Sequence, residues 1–380
     1  MGRQAVAIGG GIGGLAAALA LYRRGWGVEV LERAPEFAEV GAGLALQPNA
    51  LSALEHLGLG DAVRDRGLTD PPVGIRTASG RWLIRNDLPE LRRRYGQWIM
   101  LPRTELLDLL RAALPSEVLR PSIEVTEVSA DGTVVHSGGI SQADLVVGAD
   151  GLRSVTRRSL WPDEPGPRYA GFGTWRLIVA PRAVDGSVET WGRRARFGYA
   201  PLPDGRVYCY IMVDAAQGDR GSLAELRRSL TDWHAPIPAL LADADETTAL
   251  YHDTFELPEL RTYVSGRVAL LGDAAHAMTP NLGQGAGQAL EDAVVLAGAV
   301  EDATVPAGLE VYDRVRRPRT QMVVRRSRRI GAMARGFTPL FAPVRDAAMN
   351  LAPRSVMARS LAPIVGWTAD SIAGPRKEAS

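Results

Sequence analysis

The chain opens with apolar segments whose lengths alternate between those of strands and helices. Ala5–Ile8 is an apolar run of strand length, and Leu15–Arg24 has the length and alanine content of a helix. A second strand-like run, Val28–Leu31, follows. A strand, a helix and a second strand in this order predict a βαβ unit with two parallel strands.

The residues from Ala5 to Leu21 carry no charge, so a signal peptide or a membrane anchor is the first alternative to consider. Glycines crowd the first half of this stretch, and glycine costs about 1 kcal/mol relative to alanine in a helix interior. The stretch is also shorter than the about 20 apolar residues that a spanning helix needs. Arg3 is the only early charge, so we expect neither a signal segment nor membrane association.

The glycines are better explained by a phosphate-binding loop. Gly9, Gly11 and Gly14 follow the spacing Gly-x-Gly-x-x-Gly between the predicted strand and helix. The first glycine permits a tight turn, the second lets a pyrophosphate approach the backbone, and the third lets the helix pack closely on the strand. Glu32 ends the second strand, where a carboxylate can accept both hydroxyls of an adenosine ribose. We therefore predict a dinucleotide site.

Turn and cap residues predict the elements that follow. In chain order they are a loop and strand over Gly41–Pro48, a helix capped by Asn49 and extending to Leu57, a hairpin at Ser79-Gly80, a leucine-rich helix capped by Thr104, a hairpin at Asp131-Gly132, and a buried strand, Leu145–Val147, that leads into Asp150-Gly151.

The pattern changes between residues 168 and 213, where β-like runs carry many aromatic residues. Asp204-Gly205 predicts a turn between two of these runs, and this texture favours an antiparallel sheet. Ser222 and Glu225 have the spacing of a capping box and predict the start of a helix.

A parallel-strand pattern returns at Val268–Leu271, and from Gln284 onward the chain is mainly helical. The predicted fold class is α/β: a discontinuous Rossmann-like nucleotide-binding domain, an inserted antiparallel β-sheet substrate domain, and C-terminal helices. The predicted boundaries are 1–70, 98–166 and 267–299 for the nucleotide-binding domain, 71–97 and 167–266 for the substrate-binding domain, and 300–380 for the helical segment.

Composition narrows the function classes. The formal net charge is +1, so no overall field attracts nucleic acid or an anionic membrane. Cys209 is the single cysteine, which excludes an internal disulfide and a multi-cysteine metal site, and we predict no metal. We interpret Cys209 as a small buried apolar residue. Because we expect neither a cysteine framework nor a signal segment, we expect a cytoplasmic protein.

The basic residues are almost all arginine, since Lys377 is the single lysine. Several arginines cluster between Arg314 and Arg329, and a nucleic-acid-binding helix is one interpretation. No aromatic residues are interleaved for base stacking, so we favour a solvated helix face in an arginine-biased protein.

A second group of nucleotide-suited residues lies near the other end of the chain. Asp273 follows the predicted strand Val268–Leu271, where a carboxylate is well placed to accept hydroxyl hydrogen bonds. Gly283, Gln284 and Gly285 open the next helix, whose N–H groups can face anionic ligand atoms. Two such elements indicate a ligand long enough to touch both, which a simple NAD dehydrogenase does not require.

The chain resembles the flavoprotein monooxygenases of the para-hydroxybenzoate hydroxylase type, the FAD-dependent aromatic hydroxylases. The resemblance rests on three motifs in the family's order: the Gly9 motif with Glu32-Arg33, the pair Asp150-Gly151, and Gly272-Asp273 with Pro280 and Gly283-Gln284-Gly285. They span nearly the whole chain and are specific to the family, though not to a substrate.

The resemblance implies a role for each motif. Gly9, Gly11, Gly14 and Glu32, with Arg33 beside it, would hold the ADP half of FAD. Arg103 would reach its pyrophosphate or ribityl region, Asp273 would bind the same region, and Asp150 would serve FAD and the nicotinamide cosubstrate. The segment that contains Pro280, Gly283, Gln284 and Gly285 would line the flavin ring.

The implied chemistry is oxygenation. NAD(P)H reduces FAD, the reduced flavin captures dioxygen as a hydroperoxide, and an electron-rich aromatic or polyketide-like substrate attacks the distal oxygen. Arg196 and Tyr208 flank the predicted Asp204-Gly205 turn with a spacing that resembles that of active-site residues in bacterial urate hydroxylases. Arg196 could hold an anionic substrate and Tyr208 could orient a ring or relay a proton; an exposed strand arginine and a core tyrosine are the structural alternative.

Other functions stay open at this point. A related flavin-dependent reductase or halogenase is one alternative, although the single lysine near the C-terminus argues against a halogenase. A non-catalytic flavin- or NAD-binding sensor is another. The substrate, the choice of NADH or NADPH, and a monomer or a homodimer are not decided by these residues. His276, Gln47 and the pair Trp175-Arg176 are weaker candidates for the pocket.

Overall fold

The computed structural model describes residues 2–37, 42–86, 88–335, 342–351 and 354–369. Its strands are, in chain order, β1 (Gln4–Ile8), β2 (Gly27–Leu31), β3 (Gly43–Leu46), β4 (Leu68–Thr69), β5 (Val73–Thr77), β6 (Trp82–Arg85), β7 (Ile99–Pro102), β8 (Leu119–Arg120), β9 (Val125–Val128), β10 (Thr133–His136), β11 (Gly139–Gln142), β12 (Leu145–Gly148), β13 (Arg168–Val179), β14 (Ser187–Trp191), β15 (Ala195–Pro201), β16 (Val207–Asp214), β17 (Leu250–Glu256), β18 (Val264–Ser265) and β19 (Val268–Leu270).

The α-helices are α1 (Ile12–Tyr22), α2 (Pro48–His56), α3 (Gly60–Arg66), α4 (Leu88–Tyr95), α5 (Arg103–Ala112), α6 (Val155–Leu160), α7 (Leu223–Ser229), α8 (Ile237–Ala242), α9 (Asp273–His276), α10 (Gly285–Ala299), α11 (Val305–Arg335), α12 (Ala342–Leu351) and α13 (Arg354–Val365). Two 3₁₀ turns, Ser116–Val118 and Pro280–Leu282, complete the list. Gly41 and Lys377 lie outside the described residues.

A six-stranded sheet in the order β18-β19-β12-β1-β2-β8 forms the first layer. Strands β19, β12, β1, β2 and β8 run parallel, which confirms the predicted βαβ unit and the return of the chain at β19. Both faces of β1 are buried: Ala5 and Ala7 pack in the core with α1 and α10, and Val6 and Ile8 pack in the core with β9 and β10. Burial on two faces explains why this strand is apolar throughout.

Two predicted helix caps are wrong. Helix α2 begins at Pro48 with Gln47 as its N-cap, so Asn49 lies inside the helix with a fully buried side chain. Helix α5 begins at Arg103 after Pro102, so Thr104 is its second residue. Pro48 has φ fixed near the helical value and takes the first position of α2, whereas Pro102 is the extended N-cap of α5 and Arg103 begins that helix.

A seven-stranded sheet in the order β17-β13-β16-β15-β14-β5-β6 forms a second layer. The hairpins at Ser79-Gly80 and Asp204-Gly205 join β5 to β6 and β15 to β16, as predicted. The sheet is not wholly antiparallel, because β14 pairs with β5 in parallel. These two strands come from distant segments, so no tight turn dictates an antiparallel pairing.

The two faces of this sheet differ in chemistry. One face packs Trp175, Phe197, Cys209 and Ile211 against α7 and α8, and the capping box of Ser222 and Glu225 begins α7 as predicted. The register places the alternate residues on the opposite face, which we call the polar face: Arg176, Glu189, Arg196, Tyr208 and Tyr210. It is turned toward β3, which forms a separate three-stranded sheet with β7 and β4, since a Cβ at Gly43 in β3 would lie 2.5 Å from the Tyr208 ring.

Helix α11 corrects the interpretation of the arginine cluster. Arg316 is fully buried and pairs with Glu291 and Asp292 of α10, so the helix face that contains it is not solvated. Arg325, by contrast, forms a half-exposed pair with Glu259. None of the helices in the described part of the chain combines the length and apolar character of a membrane span.

Candidate active site

The first glycine loop, Gly9–Gly14, connects β1 to α1 at the carboxyl edge of the parallel sheet. Gly9 has a φ of +104°, and a Cβ there would lie 2.5 Å from the carbonyl oxygen of Ala149. A Cβ at Gly14 would lie 1.9 Å from the carbonyl oxygen of Gly9. Among the residues that the structure describes, none would come within 4 Å of a Cβ at Gly11. The first and third glycines are therefore required by backbone packing, and the second faces open space.

Glu32 follows β2 at the same edge. Its carboxylate accepts hydrogen bonds from the backbone N–H of Gly10 at 2.6 Å and of Ala34 at 2.8 Å. Arg33 beside it is exposed. The carboxylate thus anchors the first glycine loop to the end of the neighbouring strand, a contact that the sequence pattern did not reveal.

Asp150 and Asp273 follow the next two strands along the same edge, β12 and β19. The Asp150 carboxylate accepts hydrogen bonds from Ser154 Oγ at 2.5 Å and from the Thr156 backbone N–H at 3.0 Å, so it holds the start of α6, whose N-cap is Ser154. Asp273 is exposed, and its carboxylate makes no hydrogen bond with the described part of the chain. Asp273 therefore presents an available acceptor, whereas Asp150 mainly holds its own loop.

The second glycine loop, Pro280–Gly285, leads into α10. Gly283 has a φ of +61°, and a Cβ at Gly285 would meet no atom within 4 Å in the described part of the chain. Gln47 Nε2 donates to the carbonyl oxygen of Leu282 at 2.7 Å, and Gln284 Nε2 donates to Gln47 Oε1 at 2.9 Å. Gln47, a weak candidate from the sequence, holds this loop in place.

The two glycine loops lie at the same end of two packed helices. A Cβ at Gly13, in the first turn of α1, would lie 3.3 Å from the Cβ of Ala289, in the second turn of α10. A Cβ at Gly272 would lie 3.3 Å from the same atom. Neither α1 nor α10 has a side-chain N-cap, so N–H groups and the positive ends of two helix dipoles are available for an anionic ligand.

A buried polar network supports the second glycine loop from below. Asn49 Nδ2 donates to Gln284 Oε1 at 2.9 Å and to Glu291 Oε1 at 2.7 Å. Gln288 Nε2 donates to Gln284 Oε1 at 2.8 Å, and Arg316 Nη1 pairs with Glu291. All five side chains are buried. Asn49, predicted as a helix cap, is therefore a link between α2 and this loop.

The same arginine supports the loop of Asp273. Arg316 Nε donates to Asp292 Oδ1 at 2.6 Å, and Asp292 Oδ2 accepts from the Gly272 backbone N–H at 3.0 Å and contacts His276 Nε2 at 2.5 Å. Burial raises the pKa of the Asp292 carboxyl, but His276, Arg316 and the Gly272 hydrogen bond together lower that pKa to about 2. His276 is thus a packed, hydrogen-bonded partner of Asp292.

Arg196 is buried, and its guanidinium leaves the polar face toward the second glycine loop. Its Nη2 group donates to Asn281 Oδ1 and contacts the Met212 sulfur at 2.5 Å, and Nη1 donates to Glu189 Oε1 at 3.2 Å. Only 2% of the side chain is exposed, which overturns the alternative of an exposed strand arginine.

Tyr208 lies on the same face, at the position opposite Ala200, whereas Arg196 lies opposite Met212. Its ring is 6.0 Å from that of Tyr210. Burial raises the pKa of the Tyr208 phenol, while the charges of Arg176 and Arg103 pull it down. Tyr208 therefore stays protonated at neutral pH. It lies near two cations, Arg176 and Arg103, and Arg103 is the first residue of α5.

The remaining weak candidates, Trp175 and Arg176, lie on opposite faces of the seven-stranded sheet. Arg176 shares the polar face with Tyr208, and its Nη1 lies 3.4 Å from His252 Nδ1. Trp175 points to the opposite face of the sheet, where its ring lies edge-on against that of Tyr251. Successive strand residues face opposite sides, so the pair Trp175-Arg176 could not share one pocket. Cys209 is fully buried, as predicted.

Comparison with known proteins identifies the family. Residues 3–327 match the family described as "FAD binding domain". The chain belongs to this family. FAD is its cofactor and NAD(P)H its cosubstrate, and the chain is an FAD-dependent monooxygenase. The comparisons give no support to the reductase or sensor alternatives.

Relatives cover nearly the whole chain. The aurachin C monooxygenase/isomerase of Stigmatella aurantiaca is 37% identical over 355 residues, which are 90% of this chain and 92% of the relative. The 3-amino-4-hydroxybenzoate 2-monooxygenase of Streptomyces cremeus is 35% identical and covers 85% of each chain. The structure of Klebsiella pneumoniae HpxO with FAD and uric acid has a TM-score of 0.87 at 28% identity, covering 98% of this chain and 97% of that one. The predicted fold class is confirmed.

The residues of this chain fit FAD. A dinucleotide needs open backbone where its phosphates pass, and Gly11 and Gly285 both face open space while Gly9 and Gly14 do not. The uncapped helix starts supply N–H donors, and Asp273 supplies an available acceptor beside them. The arrangement therefore suits a long, anionic ligand that runs along the carboxyl edge of the sheet.

Proposed function

We propose that this monooxygenase hydroxylates a small, electron-rich aromatic or polyketide-like molecule between the polar face and the second glycine loop. The overall reaction consumes substrate, dioxygen, NAD(P)H and a proton, and yields the hydroxylated product, NAD(P)⁺ and water. Bound FAD would accept the hydride and, once reduced, activate dioxygen. The relatives support this class, since they are named for acting on an aminohydroxybenzoate or were solved with uric acid.

We infer the cofactor residues from their places along the sheet edge. The first glycine loop, through Gly9, Gly11 and Gly14, with Glu32 and Arg33 beside it, would hold the ADP half. Asp273, Arg103 and the Asp150 loop would lie along the middle of FAD. Pro280, Gly283, Gln284 and Gly285 would lie beside the flavin ring, where N–H groups can stabilise charge as the ring is reduced.

Arg196 carries the proposal for the substrate site. It is a buried cation that reaches from the seven-stranded sheet to Asn281 in the second glycine loop, which supports a place for Arg196 beside a ring held at the flavin. Arg196 would hold an anionic oxygen of the substrate, and the protonated Tyr208 would donate a hydrogen bond to the ring or relay its proton. The domain boundaries, the cytoplasmic location and the monomer or homodimer stay predictions.

The experiment measures coupling, defined as the fraction of oxidised NAD(P)H that appears as hydroxylated product. The purified protein is given FAD, NADH or NADPH, ¹⁸O₂, and a panel of urate, 3-amino-4-hydroxybenzoate, hydroxyquinolines and aromatic polyketides. We expect ¹⁸O in a product of at least one panel member. NAD(P)H oxidation that yields hydrogen peroxide alone with every panel member would contradict the proposal and favour the reductase alternative.

Replacement of Arg196 by glutamine should lower coupling by about 100-fold while FAD stays bound, because a misplaced substrate loses the gain from orientation. The matched control is Arg206→Gln in the turn between β15 and β16, where the arginine forms a half-exposed pair with Asp204. Coupling is measured as product and hydrogen peroxide per NAD(P)H. Equal coupling in wild type and Arg196→Gln would remove Arg196 from the substrate site.

A further inference from the structure

Three residues of the polar face lie directly opposite one another on neighbouring strands. Glu189 in β14 pairs with Gly198 in β15, and Gly198 pairs with Tyr210 in β16. A Cβ at Gly198 would lie 2.0 Å from Cζ of Tyr210. The tyrosine ring therefore crosses β15 above Gly198, a path that a side chain at this position would block.

The crossing brings Tyr210 to the carboxylate on the far strand. Its hydroxyl donates to Glu189 Oε2 at 2.6 Å. Burial raises the pKa of Tyr210 well above its ordinary value, and the charge of Glu189 raises it further. The phenol therefore remains a hydrogen-bond donor across the working pH range, and it fixes one oxygen of Glu189.

The other oxygen of Glu189 faces the candidate substrate arginine. Glu189 Oε1 accepts from Arg196 Nη1 at 3.2 Å and from Trp191 Nε1 at 2.6 Å. Glu189 is 17% exposed and Arg196 is 2% exposed, so water screens this ion pair weakly. Breaking a buried pair on one side leaves an uncompensated charge, which makes the position of the remaining partner sensitive to that change.

Arg196 also contacts the second glycine loop through Asn281. The Arg196 guanidinium thus contacts Glu189 of the seven-stranded sheet on one side and Asn281 of the second glycine loop on the other. We propose that Glu189, held by Tyr210 across Gly198, is a positioning residue that fixes the direction of the Arg196 guanidinium at this loop and partly offsets its charge there. The proposal rests on the proposed function for its effect on coupling, but its effect on the flavin itself needs no substrate.

The test compares Glu189→Gln, Tyr210→Phe and Glu189→Gln combined with Arg196→Gln. Glu256→Gln is the matched control, because Glu256 is also a buried carboxylate of this sheet with arginine partners, Arg168 and Arg328. The first readout is the midpoint potential of bound FAD without substrate, measured by spectroelectrochemistry. The second is coupling with the panel member that wild type hydroxylates.

We expect Glu189→Gln to shift the midpoint potential to more positive values, because an uncompensated Arg196 charge stabilises the reduced, negatively charged flavin. Coupling should fall about tenfold in Glu189→Gln and less in Tyr210→Phe, since each loosens the arginine without removing it. In the Arg196→Gln background, Glu189→Gln should cause no further loss. Glu256→Gln should leave potential and coupling at wild-type values.

An unchanged potential in a folded Glu189→Gln protein would overturn the proposal, and so would full additivity of Glu189→Gln and Arg196→Gln on coupling. Tyr210→Phe keeps the charge of Glu189, so it remains informative if Glu189→Gln fails to fold; unchanged coupling in Tyr210→Phe would also count against the proposal. Failure of the proposed function gives a different result, because wild type would then form no hydroxylated product while the potential still shifts in Glu189→Gln.

Discussion

Replacement of Gly11 by valine is expected to weaken FAD binding by roughly 10- to 100-fold, since atoms forced into a filled space cost about 1–3 kcal/mol. A Cβ at Gly11 meets no atom of the described residues within 4 Å, and the φ of −76° and ψ of −178° at Gly11 suit any residue. The added side chain would enter the space that we assign to the pyrophosphate. Flavin titration, followed by quenching of FAD fluorescence, measures the change.

The matched control is Gly166→Val, at an exposed glycine where a Cβ also meets nothing within 4 Å. It should bind FAD as wild type does. Gly11 is the N-cap of α1, and an apolar cap costs about 1 kcal/mol of stability, so thermal unfolding of the FAD-free proteins is measured beside the titration. Wild-type FAD affinity in Gly11→Val would place the pyrophosphate elsewhere.

Replacement of Arg316 by methionine should destabilise the protein by about 3–5 kcal/mol, the cost of leaving buried carboxylates without their cation. Arg316 is fully buried between Glu291 and Asp292. These two carboxylates support the second glycine loop, through Asn49, and the loop of Asp273, through the Gly272 N–H. FAD affinity should therefore fall together with the free energy of unfolding. Flavin titration measures the affinity, and chemical denaturation measures the free energy of unfolding.

Arg325→Met is the control on the same helix, because its half-exposed pair with Glu259 should contribute about 1 kcal/mol or less.

The free energy of unfolding measured as a function of acid pH tests the same network in a second way. The pKa of Asp292 is lowered from 3.8 to about 2, so its stabilisation is present above pH 3.8 and is lost as the pH falls toward 2. The loss in wild type should be about 2 kcal/mol, and smaller in Arg316→Met. Equal stability of Arg316→Met and Arg325→Met would contradict this role for the network.

Local chemistry was sufficient to predict the first glycine loop, the hairpins and the capping box of Ser222. Each depends on residues close together in the chain: glycines that tolerate positive φ, Asp-Gly turns, or a serine three residues before a glutamate. The family resemblance then supplied the cofactor, because motifs at both ends of the chain occurred in the right order. These features need no knowledge of which distant strands pair.

Features that depend on long-range pairing were missed. Arginine spacing on α11 cannot show that Arg316, unlike Arg325, meets two carboxylates of α10. Asn49 was assigned to a helix cap because its partners, Gln284 and Glu291, lie in a different part of the chain. The crossing of Tyr210 over Gly198 to Glu189 requires the register of three strands, although strict alternation along β15 and β16 would have placed Arg196 and Tyr208 on one face.

A crystal structure of the protein with FAD tests most directly whether both glycine loops hold one molecule. We expect continuous density along the carboxyl edge of the parallel sheet, with the pyrophosphate at Gly11, the ribose at Glu32 and the flavin ring against Pro280–Gly285. An FAD molecule that contacts one of these loops while the other faces solvent would contradict the shared site and the substrate position assigned to Arg196.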